Sequence, residues 1–253
     1  MRSEAEWRSL LVDQAPFLGS RRWHARVPSS PRCKLCAAPF SGPGGLVMRF
    51  IGHARWAKNP KYCTGCFRMI SSNHGGAEVE CSLLFADVRG STTLAESTSP
   101  REFNRMMGRF YDTATEVLVD HDGIVDKFVG DEIIGIFVPS MASAQHALRA
   151  VDAARALLVA TGFGSPAGPW VPIGVGVNTG VAYVGSIGDS ADTELTAMGD
   201  VVNVTARLSS AAAAGEILVT TAAAAAAGLP DDLPRRSLQL KGKSEATDVV
   251  VIV

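Results

Sequence analysis

The sequence predicts an α+β fold, a ferredoxin-like βαββαβ domain preceded by a small metal-stapled module. Strand-like and helix-like patterns alternate from residue 79 onward, in the order typical of that sheet. Before them, four cysteines fall into two Cys-x-x-Cys pairs. Hydrophobic residues make up 47% of the 253, which is enough for a sizeable core. We divide the chain into a helical segment (1–30), a four-cysteine module (31–70), a linker (71–78) and the main domain (79–253).

Charge divides the chain at nearly the same place. Residues 1–70 carry a net charge of +9 and residues 71–253 one of −10, although the whole chain stands at −1. Such asymmetry indicates two modules with different partners, or two that attract one another. No apolar run approaches the ~20 residues of a membrane span, and the first residues lack a secretory apolar segment. We expect a soluble, cytoplasmic protein with no membrane partner.

The first segment, residues 4–18, has the pattern of a short amphipathic helix. Pro16 limits how far this helix can run without a break. The apolar face either packs on its own chain or forms a dimer contact, and both readings stay open. The residues near helical spacing are Trp7, Leu10, Leu11, Ala15 and Leu18.

The two cysteine pairs, Cys33/Cys36 and Cys63/Cys66, are separated by 26 residues. Each tight turn can direct both of its sulfurs at one ion, which is the arrangement that tetrahedral zinc requires. The stretch resembles zinc-ribbon and treble-clef modules, in which the second pair opens a helix, here 66–70. Zinc is the expected metal. An iron–sulfur cluster, or free redox thiols, are the alternatives.

Basic side chains surround the cysteines. They could bind nucleic acid, form a solvated face, or dock on the acidic remainder of the chain. No recognition motif accompanies them, so nucleic acid is not expected as a partner. The residues are Arg32, Lys34, Arg49, Arg55, Lys58, Lys61 and Arg68.

The elements of the main domain follow in order. A strand over 79–88 leads to a helix that starts at Ser99-Pro100-Arg101-Glu102, a capping box with proline in the first turn. Gly130-Asp131 marks a hairpin. The other predicted elements are strands at 124–129 and 132–137, a helix at 141–160, strands at 171–176 and 181–187 joined by a turn at 178–180, a helix from about 199 to 211–214, and strands at 217–220, 237–240 and 249–253.

Acids occur where these strands end. Asp87 closes the apolar run LLFAD and is followed by the small polar turn 89–92; taken on its own, it is read as a turn-capping residue rather than as a metal ligand. Asp131 lies at the hairpin tip. Two carboxylates without a neighbouring His or Cys suit Mg²⁺ bound with nucleotide phosphates. Asn203 and Arg207 are four residues apart, so they emerge from one helix face and could bind ribose and phosphate.

Four motifs then match one family in order and spacing. They are LLFADVRGSTTLAE (83–96), DKFVGDEIIGIF (126–137), VGVNTGVAYVGSIG (175–188) and LTAMGDVVNVTARL (195–208). Residues 79–253 resemble the class III nucleotidyl cyclase catalytic domain, the adenylate/guanylate cyclase fold. Four ordered motifs are far more specific than a single turn signature.

The resemblance implies a role for each matching residue. Two Mg²⁺ or Mn²⁺ ions would bind the aspartates, and the backbone after the first of them would hold the triphosphate. The family's sites form between two domains, so a homodimer would have two equal sites, with the acids from one chain and the purine, ribose and transition-state residues from the other. The positions are Asp87 and Asp131 for metal; Val88, Gly90, Ser91 and Thr92 for phosphate; Lys127 and Thr196 for the purine; Asn203 for the ribose; and Arg207 for the transition state.

The implied reaction is attack of the ribose 3′-oxygen on the α-phosphorus, releasing pyrophosphate, in intracellular signal transduction. Lys127 can donate to a purine N1 acceptor and Thr196 can accept from a 6-amino group, which favours ATP and cyclic AMP. A hydroxyl also donates, so guanylate cyclase activity is the alternative. A third reading is a catalytically silent nucleotide sensor that acts through the basic module.

Overall fold

The computed structural model describes residues 3–13, 15–27, 31–57, 59–71, 75–187 and 194–253. Its helices are α1 (Glu4–Val12), α2 (Ala15–His24), α3 (Gly42–Phe50), α4 (Thr64–Ser71), α5 (Ser91–Ser97), α6 (Pro100–Asp120), α7 (Pro139–Ala142), α8 (His146–Ala160), α9 (Asp200–Ala211) and α10 (Thr221–Ala227). Its strands are β1 (Arg55–Trp56), β2 (Asn59–Cys63), β3 (Gly75–Val88), β4 (Ile124–Val129), β5 (Glu132–Phe137), β6 (Ile173–Ile187), β7 (Glu194–Met198), β8 (Ile217–Thr220), β9 (Arg235–Leu238) and β10 (Thr247–Ile252).

Eight strands form one sheet in the order β4-β5-β3-β6-β8-β10-β9, with β7 also paired to β6. The three pairings among the first four strands of that order, β4–β5, β5–β3 and β3–β6, are all antiparallel. In chain order they occur as β3, α6, β4, β5, α8 and β6, which confirms the predicted ferredoxin-like βαββαβ domain. The last part of β6 pairs with β7, and its first part pairs with β8 in parallel.

Both faces of the sheet are covered, because side chains of β3 alternate between two cores. Leu84 and Ala86 face α6, α8 and α10, where Phe110 is fully buried. Leu83 and Phe85 face the opposite core, which contains α1, the cysteine module and part of α9. The N-terminal residues are therefore packed directly on the eight-stranded sheet.

One predicted turn is wrong. Residues 178–180 continue a single strand, β6, and pair with residues 81–83 of β3. The polar side chain of Asn178 can be buried because its amide donates to the Val201 carbonyl at 3.2 Å and its oxygen accepts from the Thr220 hydroxyl at 2.8 Å. These partners are distant in sequence, so the local composition suggested a turn.

Other differences concern the limits of elements. The helix predicted over 4–18 is two helices, since Asp13 is extended and ends α1, and Pro16 lies in the first turn of α2, where its missing N–H costs little. β3 begins at Gly75, inside the stretch predicted as linker. The helix predicted at 141–160 is broken at Ser143, which has a positive φ. The elements α3, α5, α10, β1, β2 and β7 were not predicted.

The capping box of α6 is confirmed: the Ser99 side chain accepts from the Glu102 N–H, and the Glu102 carboxylate accepts from the Ser99 N–H at 3.1 Å. The hairpin at Gly130 is confirmed as well, with φ of +62°. Within the described residues, no helix has both the length and the apolar character needed to cross a bilayer.

Gly176 sets how closely α9 approaches the sheet. A Cβ there would lie 2.6 Å from the Ser209 nitrogen and 2.7 Å from the Thr205 oxygen, and both are backbone atoms of α9. Gly176→Ala should therefore displace α9, lowering the free energy of unfolding by about 1–3 kcal/mol and reducing turnover by any chemistry that α9 supports. Chemical denaturation measures the first effect. Gly108→Ala is the matched control, since Gly108 is an exposed position of α6 where a Cβ meets nothing within 4 Å; it should stabilise slightly.

Candidate active site

The two predicted metal-binding acids lie on neighbouring strands at one end of the sheet. β3 and β5 pair with Asp87 opposite Glu132. Asp131, one residue earlier in the hairpin, accepts at its carbonyl from the Val88 N–H at 3.2 Å. The antiparallel ladder thus brings together two acids that are 44 positions apart in the sequence.

Two charged residues that the sequence analysis did not single out complete this acidic end. The Arg89 guanidinium forms an ion pair with Asp87 and donates to the Ser210 carbonyl at 2.8 Å. Glu132 accepts from the Ser209 hydroxyl at 2.7 Å, and burial raises the pKa of its carboxyl group against the effect of that hydrogen bond. Three acids against one guanidinium leave this end of the sheet negative, which is the electrostatic setting for a divalent cation.

The turn after β3 differs from its predicted form, because α5 starts at Ser91 and only two residues are left for the turn. Gly90 there has φ of +67°. The Val88 and Arg89 N–H groups are already used, the first on the Asp131 carbonyl and the second on the Pro172 carbonyl at 2.8 Å. Of the four residues predicted to bind phosphate, Gly90, Ser91 and Thr92 are therefore those whose N–H groups remain for it.

Asn203 and Arg207 lie on the outer side of α9. Val204 and Leu208 of the same helix are buried against the sheet, whereas Asn203 is exposed and Arg207 half-buried. The Arg207 guanidinium lies beside Gly242 of the loop before β10. Because Asn203 and Arg207 are four residues apart in a helix, both lie on the same face of α9.

Lys127 and Thr196 are brought to one place by the curl of the sheet. Their strands, β4 and β7, have three strands between them in the sheet order, yet they touch. The contact runs through Asp126: one carboxylate oxygen accepts from the Thr196 hydroxyl at 2.8 Å, and the other lies 3.7 Å from the Lys127 ammonium. A cleft of about 750 Å³ between α6 and β4 is lined by Asp126 and Lys127.

The site residues fall into two groups. Among the described residues, no hydrogen bond or ion pair joins Asp87 or Asp131 to Asn203, Arg207 or the Lys127–Thr196 pair. The acidic end contacts Ser209 and Ser210 near the C-terminal end of α9, whereas the second group uses the outer side of α9 and the contact between β4 and β7.

The four cysteines form one buried cluster whose ligand atoms all lie within 4.8 Å of one another. The Sγ atoms of Cys36 and Cys63 are 3.6 Å apart, and those of Cys33 and Cys66 are 3.9 Å apart. Hydrogen bonds from Cys33, Cys36 and Cys66 lower the pKa of the Cys63 thiol, which favours the thiolate that a metal binds. The Cys63 sulfur also lies 3.2 Å from His53 Nδ1.

The cysteine module is docked on the main domain through its basic residues and its core. Lys34 forms an ion pair with Asp122, and Lys61 lies 3.2 Å from Asp120. Behind these pairs the two parts share an apolar contact lined by Leu35, Trp56, Tyr62, Phe67, Ile124, Met141 and Leu195. Of the interpretations of the basic residues, docking on the acidic remainder is the one that these ion pairs support.

Fold and site together define the class, an α+β domain with the ferredoxin-like strand order and an acidic end beside a glycine turn. The family model described as the adenylate and guanylate cyclase catalytic domain matches residues 76–252. The chain belongs to this family.

Relatives and solved structures agree. The chain is 32% identical over 196 residues to Adenylate cyclase 1 of Rhizobium meliloti (strain 1021), covering 73% of this chain and 30% of that protein. It is 25% identical to Adenylate cyclase of Anabaena cylindrica, covering 66% and 36%. The chain thus spans about a third of the length of these two relatives. Its fold is similar to the guanylyl cyclase Cya2 (TM-score 0.62, 29% identity, 70% and 93% covered) and to the adenylyl cyclase CyaB from P. aeruginosa (0.59, 27%, 70% and 95%).

Proposed function

We propose that this protein is an adenylate cyclase, which converts ATP to 3′,5′-cyclic AMP and pyrophosphate at sites formed between two copies of the chain, for signal transduction in the cytoplasm. The observation that carries the proposal is the division of the site residues into two groups. The family forms its sites between two domains, so one nucleotide would be bound by the acids of one chain and by the second group of another.

The acidic end suits the two divalent ions that the family implies. Asp87 and Asp131 would hold them, because hard carboxylate oxygens on adjacent strands are ligands that Mg²⁺ and Mn²⁺ prefer. The negative charge of Glu132 nearby, offset by one guanidinium, adds to the attraction for a cation. When bound, such ions lower the pKa of the ribose 3′-hydroxyl and neutralise phosphate charge.

The other residues bind and orient the nucleotide. The N–H groups of Gly90, Ser91 and Thr92 donate to the triphosphate. Lys127 donates to the purine N1 while the Thr196 hydroxyl accepts from the 6-amino group. Asn203 orients the ribose so that its 3′-oxygen can attack the α-phosphorus.

Arg207 stabilises the charge that develops on the α-phosphate as the oxygen–phosphorus bond forms and pyrophosphate leaves. Its half-buried position keeps the guanidinium partly desolvated, which strengthens such an interaction.

Zinc is the proposed metal of the cysteine cluster. A tetrahedron with Zn–S bonds of about 2.3 Å has edges of about 3.8 Å, and two of the sulfur–sulfur distances are 3.6 and 3.9 Å. The thiolates of an iron–sulfur cluster bind different irons and would lie farther apart. A single ion is therefore the better fit to this spacing.

Guanylate cyclase activity is the second candidate, because a hydroxyl at Thr196 can donate as well as accept and because the fold resembles that of a guanylyl cyclase. The test is an assay of the purified chain with Mn²⁺ or Mg²⁺ and either ATP or GTP. Cyclic AMP formed from ATP faster than cyclic GMP is formed from GTP supports the proposal. Faster formation of cyclic GMP supports the second candidate instead. If neither substrate gives a cyclic nucleotide, both candidates are rejected.

A further inference from the structure

A bulge in β4 places Asp126 beside the residues proposed to read the purine. Val125 pairs with Gly135 and Phe128 with Ile133, so β4 has one residue more than β5 over this stretch. A bulge re-aims side chains and is common next to active sites. Here it lets the adjacent residues Asp126 and Lys127 both line the cleft, although an ideal strand would direct them to opposite faces.

Asp126 is buried to a degree that is unusual for a carboxylate. Its side chain is 3% exposed, and Thr196 is 8% exposed. Burying a charged group costs free energy unless hydrogen bonds and opposite charges compensate for it. Thr196 supplies a hydrogen bond at 2.8 Å and Lys127 a positive charge at 3.7 Å, and these are the two residues that the purine is expected to contact.

The hydrogen bond to Asp126 also fixes what Thr196 can offer to a base. A hydroxyl has one proton and two lone pairs. Because the proton is directed at a carboxylate, which only accepts, the lone pairs are what remains for a ligand. Those lone pairs match the 6-amino group of adenine and repel the 6-oxygen of guanine.

We infer that Asp126 is a positioning residue for substrate choice: it holds the Thr196 hydroxyl as an acceptor and the Lys127 ammonium beside it, so that the pair selects a 6-aminopurine nucleotide over a 6-oxopurine nucleotide. This inference rests on the proposed cyclase function and adds to it the residue that decides the specificity. Asp126 acts through its two neighbours and need not touch the nucleotide.

The test is the ratio of kcat/KM for ATP to kcat/KM for GTP in Asp126→Asn. An amide can donate to Thr196, which frees the hydroxyl proton for a 6-oxopurine, so we expect the ratio to fall at least about tenfold. The ratio is insensitive to the fraction of folded enzyme, because both substrates are measured on one preparation. Asp112→Asn is the matched control: Asp112 lines the same cleft but is exposed, and its replacement should leave the ratio unchanged.

Making the Asp126→Asn change in a Thr196→Val variant separates a positioning role of Asp126 from a general structural role. In Thr196→Val there is no hydroxyl to direct, so adding Asp126→Asn should change the ratio less than about threefold. An equal fall in both backgrounds, or an unchanged ratio in Asp126→Asn alone, overturns the inference. If Asp126→Asn does not fold, Asp126→Glu replaces it, because the longer side chain displaces the carboxylate; the same fall is expected and an unchanged ratio again overturns the inference.

Failure of the proposed function has a different signature. A wild-type chain that forms neither cyclic nucleotide rejects that function, and the ratio is then taken from the Kd values of ATP and GTP measured by equilibrium dialysis. A tenfold fall of this ratio in Asp126→Asn still supports the role of Asp126, and an unchanged ratio overturns it.

Discussion

Replacing Asp87 by asparagine should reduce cyclic AMP formation by at least about 100-fold. The amide keeps the shape of the side chain but removes the charge that would hold a divalent cation. The ladder between β3 and β5 does not depend on that charge, because it is made by backbone groups. Turnover with saturating ATP and Mn²⁺ measures the effect, and the melting temperature should change little.

Asp152→Asn is the control for this variant. Asp152 is a similarly charged residue on α8, paired with Arg155 and not part of the acidic end. It should retain nearly full turnover. If Asp87→Asn kept more than a tenth of the wild-type rate while folded, Asp87 would not be a ligand of an essential metal.

Cys63→Ser should release the metal of the cysteine cluster and lower the free energy of unfolding by several kcal/mol. Cys63 is fully buried, and its sulfur accepts from the Cys66 N–H at 3.3 Å and lies next to those of its partners. The module has little apolar core apart from its contact with the main domain, so it depends on the metal. Elemental analysis should find about one zinc per wild-type chain and much less in the variant.

Cys81→Ser provides the matched control, because Cys81 is equally buried but lies in β3 outside the cluster. It should keep its zinc. Iron with visible absorption in the wild-type chain would contradict the assignment of zinc, and full stability of metal-free Cys63→Ser would contradict a structural role for the cluster.

Loss of that metal should also weaken nucleotide selection. Ile124 and Leu195 pack on the module. Ile124 lies two residues before Asp126 in β4, and Leu195 lies directly before Thr196 in β7. A loosened module therefore releases the two strands whose contact positions Thr196. The cysteine module thus supports the two strands that carry the base-binding residues of the proposed site.

Local signals were sufficient for the main elements. The capping box at Ser99 and the glycine at position 130 each specify a conformation through atoms that are near in sequence. The four cysteines converge because tight turns bring each pair together. The βαββαβ order could also be predicted, because each helix and strand has its own hydrophobic periodicity.

Long-range contacts account for what was missed. The continuity of β6 depends on partners of Asn178 from α9 and β8, and the hydrogen bond to the buried Asp126 comes from Thr196 of β7, four strands away along the sheet. Arg89 and Glu132 looked like ordinary polar residues of a turn and a strand. One signal was available: an acid inside an apolar strand, as at Asp126, is costly unless it has a partner.

The central claim is that one active site uses residues of two chains, and mixing two inactive variants tests it most directly. Asp87→Asn lacks a metal ligand, and Arg207→Ala lacks the transition-state group, so each alone should be nearly inactive. Random pairing of equal amounts gives heterodimers with one intact site in half of the dimers, which should restore about a quarter of wild-type cyclic AMP formation. No recovery on mixing, although the two folded variants exchange chains, would contradict a site shared between chains.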